Sequence, residues 1–285
     1  MAEIKNILVA LDLSNIDTTL IEYASFIAET LKVNKVYFVH NIKKYEISEL
    51  FEEQLKGINL DEIIGDELNE KVEERFTSST DWEVLISEDP YSESLIDYIV
   101  NKYEIQLAIV GNKNKIKGTG VVSGKLLHML KCNILSIPMN SKPVISAIWA
   151  GTDFSSASNK VFEVAENLQK TTKATVKSVH VYNVPLQFSI YIPKEHLDSK
   201  IENHLKGKHE KFIKKIGYKG ELTTEIIPGR DTGIAEKLRT KAESAKVDLI
   251  IVGDKGRNTF SSLLVGSVTD ELFNQDLNIP LWIVK

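Results

Sequence analysis

The stretch Asn6-Ile-Leu-Val-Ala-Leu-Asp12-Leu-Ser14 returns, 140 positions later, as Ser146-Ala-Ile-Trp-Ala-Gly-Thr-Asp153-Phe-Ser155. Each is a short apolar run closing on Asp-x-Ser. Each leads into a helical pattern, Thr19 to Leu31 in the first half and Asn159 to Leu168 in the second. A second apolar run with a late histidine follows in both: Val36-Tyr-Phe-Val-His40, and Val176-Lys-Ser-Val-His180. Further on, Gln106-Leu-Ala-Ile-Val-Gly111 answers Asp248-Leu-Ile-Ile-Val-Gly253, and the last runs are Asn133-Ile-Leu-Ser-Ile-Pro138 and Ile279-Pro-Leu-Trp-Ile-Val284. The offsets stay between 140 and 147, so the chain is a collinear internal repeat.

Within each copy the order reads β-α-β-α-β-α-β-α-β. The strand segments are nearly continuous in Val, Ile and Leu, as strands covered on both faces of a parallel sheet must be. The helical segments supply the crossovers that parallel strands need. The expected fold class is α/β: two tandem doubly wound, five-stranded, Rossmann-like parallel sheets. The expected domains are residues 1–140 and 144–285, joined by the polar, Pro-terminated Met139-Asn-Ser-Lys-Pro143. A longer variable region separates the second and third strands of each copy. Residues 43–80 are dense in Glu and Asp, whereas residues 185–219 carry His196, His204, His209 and many lysines. His204 and His209 are five apart, which does not place two ligands on one helical face, so both read as surface histidines.

At 285 residues, with 42% hydrophobic and 26% charged residues, the composition is that of a globular protein long enough for two cores. No apolar run approaches the roughly 20 residues of a membrane span, and the opening Met1-Ala-Glu-Ile-Lys5 lacks the layout of a signal peptide. Cytoplasmic location is the expectation. The single cysteine, Cys132, excludes an internal disulfide and reads as a small packed residue. Charge is uneven: 14 Lys and Arg face 23 Asp and Glu in residues 1–140, and 21 face 17 in the remainder. The basic half is either host to an anionic ligand or simply a solvated surface complementary to the acidic half.

In open parallel sheets, ligands bind beyond the carboxyl ends of the strands, where strand order reverses. The segment after the fourth strand of the second copy is Gly253-Asp-Lys-Gly256-Arg-Asn-Thr-Phe-Ser-Ser-Leu-Leu-Val-Gly266-Ser267-Val268. Its glycines allow close backbone approach and positive φ. Gly266-Ser267 opens a helical stretch, Val268 to Asn274, whose first N–H groups suit an anion, and Lys255 and Arg257 add charge. The same residues also read as an ordinary loop in which Ser267 caps the helix.

The spacing Gly253-x2-Gly256-x9-Gly266-Ser267 resembles the nucleotide-binding signature of ATP-binding universal stress proteins, and Thr152-Asp153-Phe-Ser155 is similar to that family's first strand-end motif. The likeness runs over both halves. It implies that Gly253, Gly256, Gly266, Ser267 and Val268 contact phosphates and ribose, that Thr152 and Asp153 lie beside the nucleoside, and that Val181 and Val252 lie near the adenine. ATP is the implied ligand, with Mg²⁺ as an optional companion. It also implies pairing through the final strands, Ile134–Ile137 and Leu281–Val284, either as a pseudo-dimer within the chain or in a homodimer.

The first copy departs from this pattern. Asn114 stands where Gly256 would be. Strict counting then aligns Gly124 and Lys125 with Gly266 and Ser267. Anchoring on the last strand instead aligns Gly120 and Val121, with a loop about four residues shorter. The second alignment keeps the last helix at full length and is preferred; on either, a glycine and the hydroxyl are missing. The first copy is therefore expected to be weak or silent for ATP, with Asp12 a relic or a structural residue.

Gly118-Thr-Gly120-Val-Val-Ser123-Gly124-Lys125-Leu126 fails as a Walker A loop, since Leu126 replaces the Mg²⁺-binding hydroxyl. A phospho-receiver would need an Asp after the third strand, where Ser87-Glu88 and Pro228-Gly229 stand. Nothing resembles a nucleophile–base pair, and His40 and His180 read as satisfied structural histidines. The expected function is nucleotide-dependent regulation, not enzymatic turnover, with slow ATP hydrolysis at most a side activity. The expected partners are an adenine nucleotide and a protein, with no nucleic acid and no membrane; the alternative is a non-nucleotide interaction scaffold of the same fold.

Overall fold

The β-branched and aliphatic runs that open the two repeats form the central strand of two separate units, residues 2–144 and 145–285. The computed structural model describes residues 3–43, 57–112, 120–183, 194–229, 232–256 and 265–285; the side chains of 120–123 and 194–199 are outside this description. The first unit runs β1 (Asn6–Leu11), α1 (Ile16–Leu31), β2 (Lys35–Ile42), α2 (Leu60–Arg75), β3 (Asp81–Glu88), α3 (Ser92–Lys102), β4 (Leu107–Asn112), α4 (Gly120–Met129) and β5 (Asn133–Pro138). The second runs β6 (Ala147–Gly151), α5 (Ser158–Thr172), β7 (Thr175–Tyr182), α6 (Lys194–Ile216), β8 (Leu222–Pro228), α7 (Ile234–Ser244), β9 (Leu249–Gly253), α8 (Ser267–Asn274) and β10 (Leu281–Val284).

Strand order in the first unit is β3-β2-β1-β4-β5, and in the second β8-β7-β6-β9-β10. The registered pairs within each unit are parallel. The alternating α/β fold around a parallel sheet is the one expected. The first two crossovers run one way along the sheet and the last two run back. Right-handed connections then place α1 and α2 on one face and α3 and α4 on the other. Ile7, Leu8 and Val9 are consecutive and fully buried, as are Leu249, Ile250 and Ile251. Burial of successive residues, whose side chains point to opposite faces, requires cover on both sides.

The variable regions supply α2 and α6. Lys35–Glu83 and Lys177–Glu225 are ion pairs of 2.7 Å at matching places on β2–β3 and β7–β8. Both are partly exposed, so each contributes little to stability. The repeat extends to backbone conformation. The described non-glycine residues with positive φ fall into three pairs: Leu13 and Phe154, Lys32 and Lys173, Glu104 and Lys246.

One polar residue sits badly in the first core. Asp17, in the first turn of α1, is fully buried. Its Oδ1 accepts the Asp12 amide at 3.2 Å, but its Oδ2 makes no hydrogen bond. The second unit has Ser158 at this place. Burial pushes the Asp17 carboxyl above its usual range, with the Asp12 amide pulling back and the Asp12 charge adding to the rise. A raised folded-state pKa favours the protonated form, so its contribution to stability is present in acid and lost as pH rises through that pKa. Asp17→Asn should therefore slow amide exchange of α1 at pH 7, and the gain should vanish towards the pH where the native carboxyl is protonated. Equal exchange at neutral pH would show that the buried charge carries no penalty.

Candidate functional site

The carboxyl ends of β6 and β9 carry the site, because these adjacent strands send their chains to opposite faces of the sheet. After β6, the Thr152 amide donates to Val179 O at 3.0 Å and so extends the ladder by one bond before the chain turns. The turn folds on its own side chains. Thr152 Oγ1 accepts the Phe154 amide at 3.0 Å, and Asp153 Oδ1 accepts both the Ser155 amide and Ser158 Oγ at 3.0 Å. Asp153 thereby ties the turn to the start of α5, and its Oδ2 faces the loop after β9. A Cβ built on Gly256 would stand 3.3 Å from that oxygen.

The loop after β9 is pinched shut at its base. Gly266 N donates to Asp254 O at 2.6 Å, and Asp254 N donates to Val284 O at 2.8 Å. Thr269, buried in α8, donates through Oγ1 to Gly253 O at 2.6 Å and fixes the helix against the strand end. Gly266 is the N-cap of α8 with φ −66° and ψ 141°. The glycines with positive φ among the described residues are Gly57 and Gly217, so the left-handed backbone expected of the loop glycines is absent at 253, 256 and 266. What these positions require is the missing side chain. A Cβ on Gly266 would lie 3.3 Å from Gly256 N, tighter than an ordinary contact and against backbone, and 3.4 Å from Asp254 O. Ser267 is the first helical residue and not the cap, which is Gly266.

These elements enclose a cavity of about 400 Å³. All nine residues singled out from the sequence line it: Thr152, Asp153, Val181, Val252, Gly253, Gly256, Gly266, Ser267 and Val268. Its wall also includes Ile234 and Leu238, neighbouring positions on α7 that the sequence reading did not assign. Their one-turn spacing was the available signal. With Val181 and Val252 they give the cavity an apolar portion, while the glycine backbone and the α8 N-terminus make another portion polar. Lys255 also lines it and stands 3.9 Å from Asp254 Oδ2, a loose pairing shared with Lys285. Arg257 lies outside the described residues.

Two histidines flank the Thr152–Ser155 turn, and one of them, His180, also lines the cavity. His180 Nδ1 donates to Thr152 O at 2.7 Å; a carbonyl can only accept, so the proton sits on Nδ1 in the neutral ring. His209, expected at the surface, is instead buried on α6, held by Ser178 Oγ at 2.8 Å and Thr224 Oγ1 at 3.1 Å. The inward face of α6 carries Leu205, His209 and Phe212, a periodicity masked in the sequence by the many lysines around it. His204 is exposed, as expected. Among the described residues, no cluster of His, Cys, Asp or Glu is arranged to hold a metal ion.

Among the described residues, the first unit is built differently at the corresponding place. Ile16 packs over Gly111, with its Cδ1 2.9 Å from where a Cβ would be, and Ala157 holds the equivalent position in the second unit. Glu93, buried at the start of α3, forms an ion pair with Lys125 of α4; their hydrogen bond holds the Glu93 carboxyl below its usual range. The segment between β4 and α4 is shorter than the one between β9 and α8, in line with the preferred alignment. Asn114 is outside the described residues. Asp12 accepts Ser14 Oγ at 2.6 Å, a local turn bond. His40 Nδ1 meets Leu11 O at 3.1 Å, and both His40 and Cys132 are buried.

Burial lowers the pKa of both His180 and His209. For His180 the Thr152 bond and Asp153 pull back and Lys208 adds to the lowering; for His209, Glu210 pulls back and His180 adds to it. The unfolded chain thus binds protons first, and stability of this unit is lost as pH falls below about 6.5. Of the three tryptophans, Trp149 and Trp282 belong to the second unit, so a Trp82→Phe background isolates its fluorescence. The urea midpoint should be flat above pH 7 and fall below pH 6.5, with His209→Gln reducing the slope. An unchanged slope in that variant would show that His209 burial has no thermodynamic consequence.

Residues 146–285 match the model of the universal stress protein family. A universal stress protein of Methanocaldococcus jannaschii is 29% identical over 167 residues, covering 56% of this chain and 94% of the relative. A universal stress protein structure from Archaeoglobus fulgidus superposes with a TM-score of 0.68 at 17% identity, over 100% of this chain and 99% of that one. A protein of unknown function from Pseudomonas aeruginosa gives 0.69 at 16% identity, over 99% and 92%. At these identities the two structures speak to the fold, and that likeness extends over both units.

Proposed function

Because residues 146–285 form a domain of the universal stress protein family, we propose that this domain binds ATP and that the protein acts as a nucleotide-dependent regulator. The observation that carries the reading is the convergence of all nine signature residues on one cavity. Its volume of about 400 Å³ falls within the range of roughly 300–1,000 Å³ usual for small-molecule sites. The residues fit the ligand's chemistry. Val181, Val252, Ile234 and Leu238 offer an apolar surface for a base. Gly253, Gly256 and Gly266 permit close approach of phosphate oxygens to main-chain N–H groups. The N-terminus of α8, the Ser267 hydroxyl and the Lys255 ammonium favour negative charge. Mg²⁺ would enter as the counter-ion of the triphosphate.

The first unit differs at this place: Ile16 stands over Gly111, Glu93 pairs with Lys125, and its sequence lacks one loop glycine and the hydroxyl, so the reading assigns ATP to the second unit alone. Regulation would work by occupancy: ATP stabilises the loop after β9 and alters the surface shown to a partner protein. Turnover of ATP is not required for this, and the reading assigns the protein no principal enzymatic role. Among the described residues no helix is long and apolar enough to cross a membrane.

Calorimetric titration of the full chain with Mg·ATP should give one site per chain. Ser267→Ala should weaken binding by roughly tenfold, the loss of one hydrogen bond to a charged group. Gly266→Leu, whose side chain would invade the Gly256 and Asp254 backbone, should abolish binding. Full-strength binding in Gly266→Leu, or no heat with the wild-type chain, would refute the assignment.

A further inference from the structure

The turn that carries Asp153 into the cavity is gripped from behind by a helix of the variable region. Phe154, between Asp153 and Ser155, adopts φ 62°. That conformation turns its ring away from the ligand residues and into a cluster of rings. It stacks on His180 with centroids 4.4 Å apart and planes tilted by 34°. It meets His209 and Phe212 of α6, each at 6.0 Å. Phe212 in turn packs edge-on against Phe162 of α5 at 5.4 Å. His209 bonds to Ser178 on β7 and Thr224 on β8, so α6 is anchored across these two neighbouring strands. His180 closes the circuit by donating to Thr152 O, the carbonyl just before Asp153.

Two of these links are directional. The Thr152 carbonyl and the Asp153 carboxylate belong to the cavity side, and the Phe154 ring belongs to the α6 side, yet all three sit on consecutive residues. A turn held this tightly by its own hydrogen bonds moves as a unit. Displacing Asp153 therefore displaces the Phe154 ring, and loosening α6 removes the packing that holds Phe154 in place. The first unit lacks this link: Leu13 holds the equivalent position with the same φ of 62° and is 39% exposed.

We propose that Phe154 is a positioning residue that couples the cavity to helix α6, so that a ligand touching the Thr152–Asp153 turn orders α6 and a change at α6 alters the turn. The coupling is reciprocal, as any equilibrium linkage must be. The regulated surface is then the outward side of α6, where Lys206, Lys208, Lys211, Lys214 and Lys215 are exposed. The proposal deepens the ATP reading and rests on it for the identity of the ligand, but the coupling itself is measurable without nucleotide.

Amide hydrogen exchange on the full chain tests both parts. Without ligand, His209→Gln should speed exchange in residues 153–155 by roughly tenfold, within the usual range of coupling between sites. Gln keeps a donor and an acceptor for Ser178 and Thr224 and removes the ring. With Mg·ATP, the wild-type chain should show slower exchange in residues 200–216 as well as in 266–273. In Phe154→Leu, which installs the residue that the first unit carries at this φ, ATP should still slow exchange in 266–273 but no longer in 200–216. Unaltered exchange at 153–155 in His209→Gln would overturn the coupling, as would a full α6 response in Phe154→Leu. Absence of any ATP effect in the wild type, with the His209→Gln effect present, would instead remove the nucleotide reading and leave the coupling standing.

Discussion

The site depends on one constraint: β6 is hydrogen-bonded in parallel to β7 on one side and β9 on the other. Two parallel neighbours of one strand must be reached by crossovers that depart to opposite faces. The ends of β6 and β9 therefore part from each other and leave a crevice that side chains alone do not fill. Glycines at 253, 256 and 266 keep it open, and the hydrogen bonds of Gly266 to Asp254 and of Thr269 to Gly253 hold its rim. Without the reversal at β6, neither the spaced glycines nor the start of α8 would face Asp153.

The same reversal occurs at β1, flanked by β2 and β4, with a different outcome. There Ile16 stands over Gly111 where the second unit has Ala157, and Glu93, at the place of Ala235 beside the apolar Ile234, pairs with Lys125. The segment between β4 and α4 is also shorter than that between β9 and α8. The architecture provides the opportunity in both units, and a handful of side chains decide whether a small molecule can use it.

Strands, helices and the repeat were legible because burial on both faces leaves uninterrupted runs such as Leu249-Ile-Ile-Val, and because Asp-x-Ser marks each first turn. The nine cavity residues were legible through resemblance to a spaced motif, not through periodicity. Three things were hidden. The missing side chain at Gly266 matters through contact distance and not through φ, which depends on neighbours remote in sequence. His209 is inward because Phe212 and Leu205 share its helical face, a stripe diluted by surrounding lysines. Ile234 and Leu238 could be placed on the cavity wall only once the strand order was known.

The paired left-handed residues bear on how such a protein diverges. Leu13 and Phe154, Lys32 and Lys173, and Glu104 and Lys246 each adopt a conformation that costs a side-chain-bearing residue about 1–2 kcal/mol. Both halves bear that cost at the same three corners, although their side chains around the crevice differ. The corners thus belong to the chain path itself and are indifferent to ligand. The walls between these corners are then free to differ, with Ile16 over Gly111 in one half and the Phe154 ring against His180 in the other, on one set of bends.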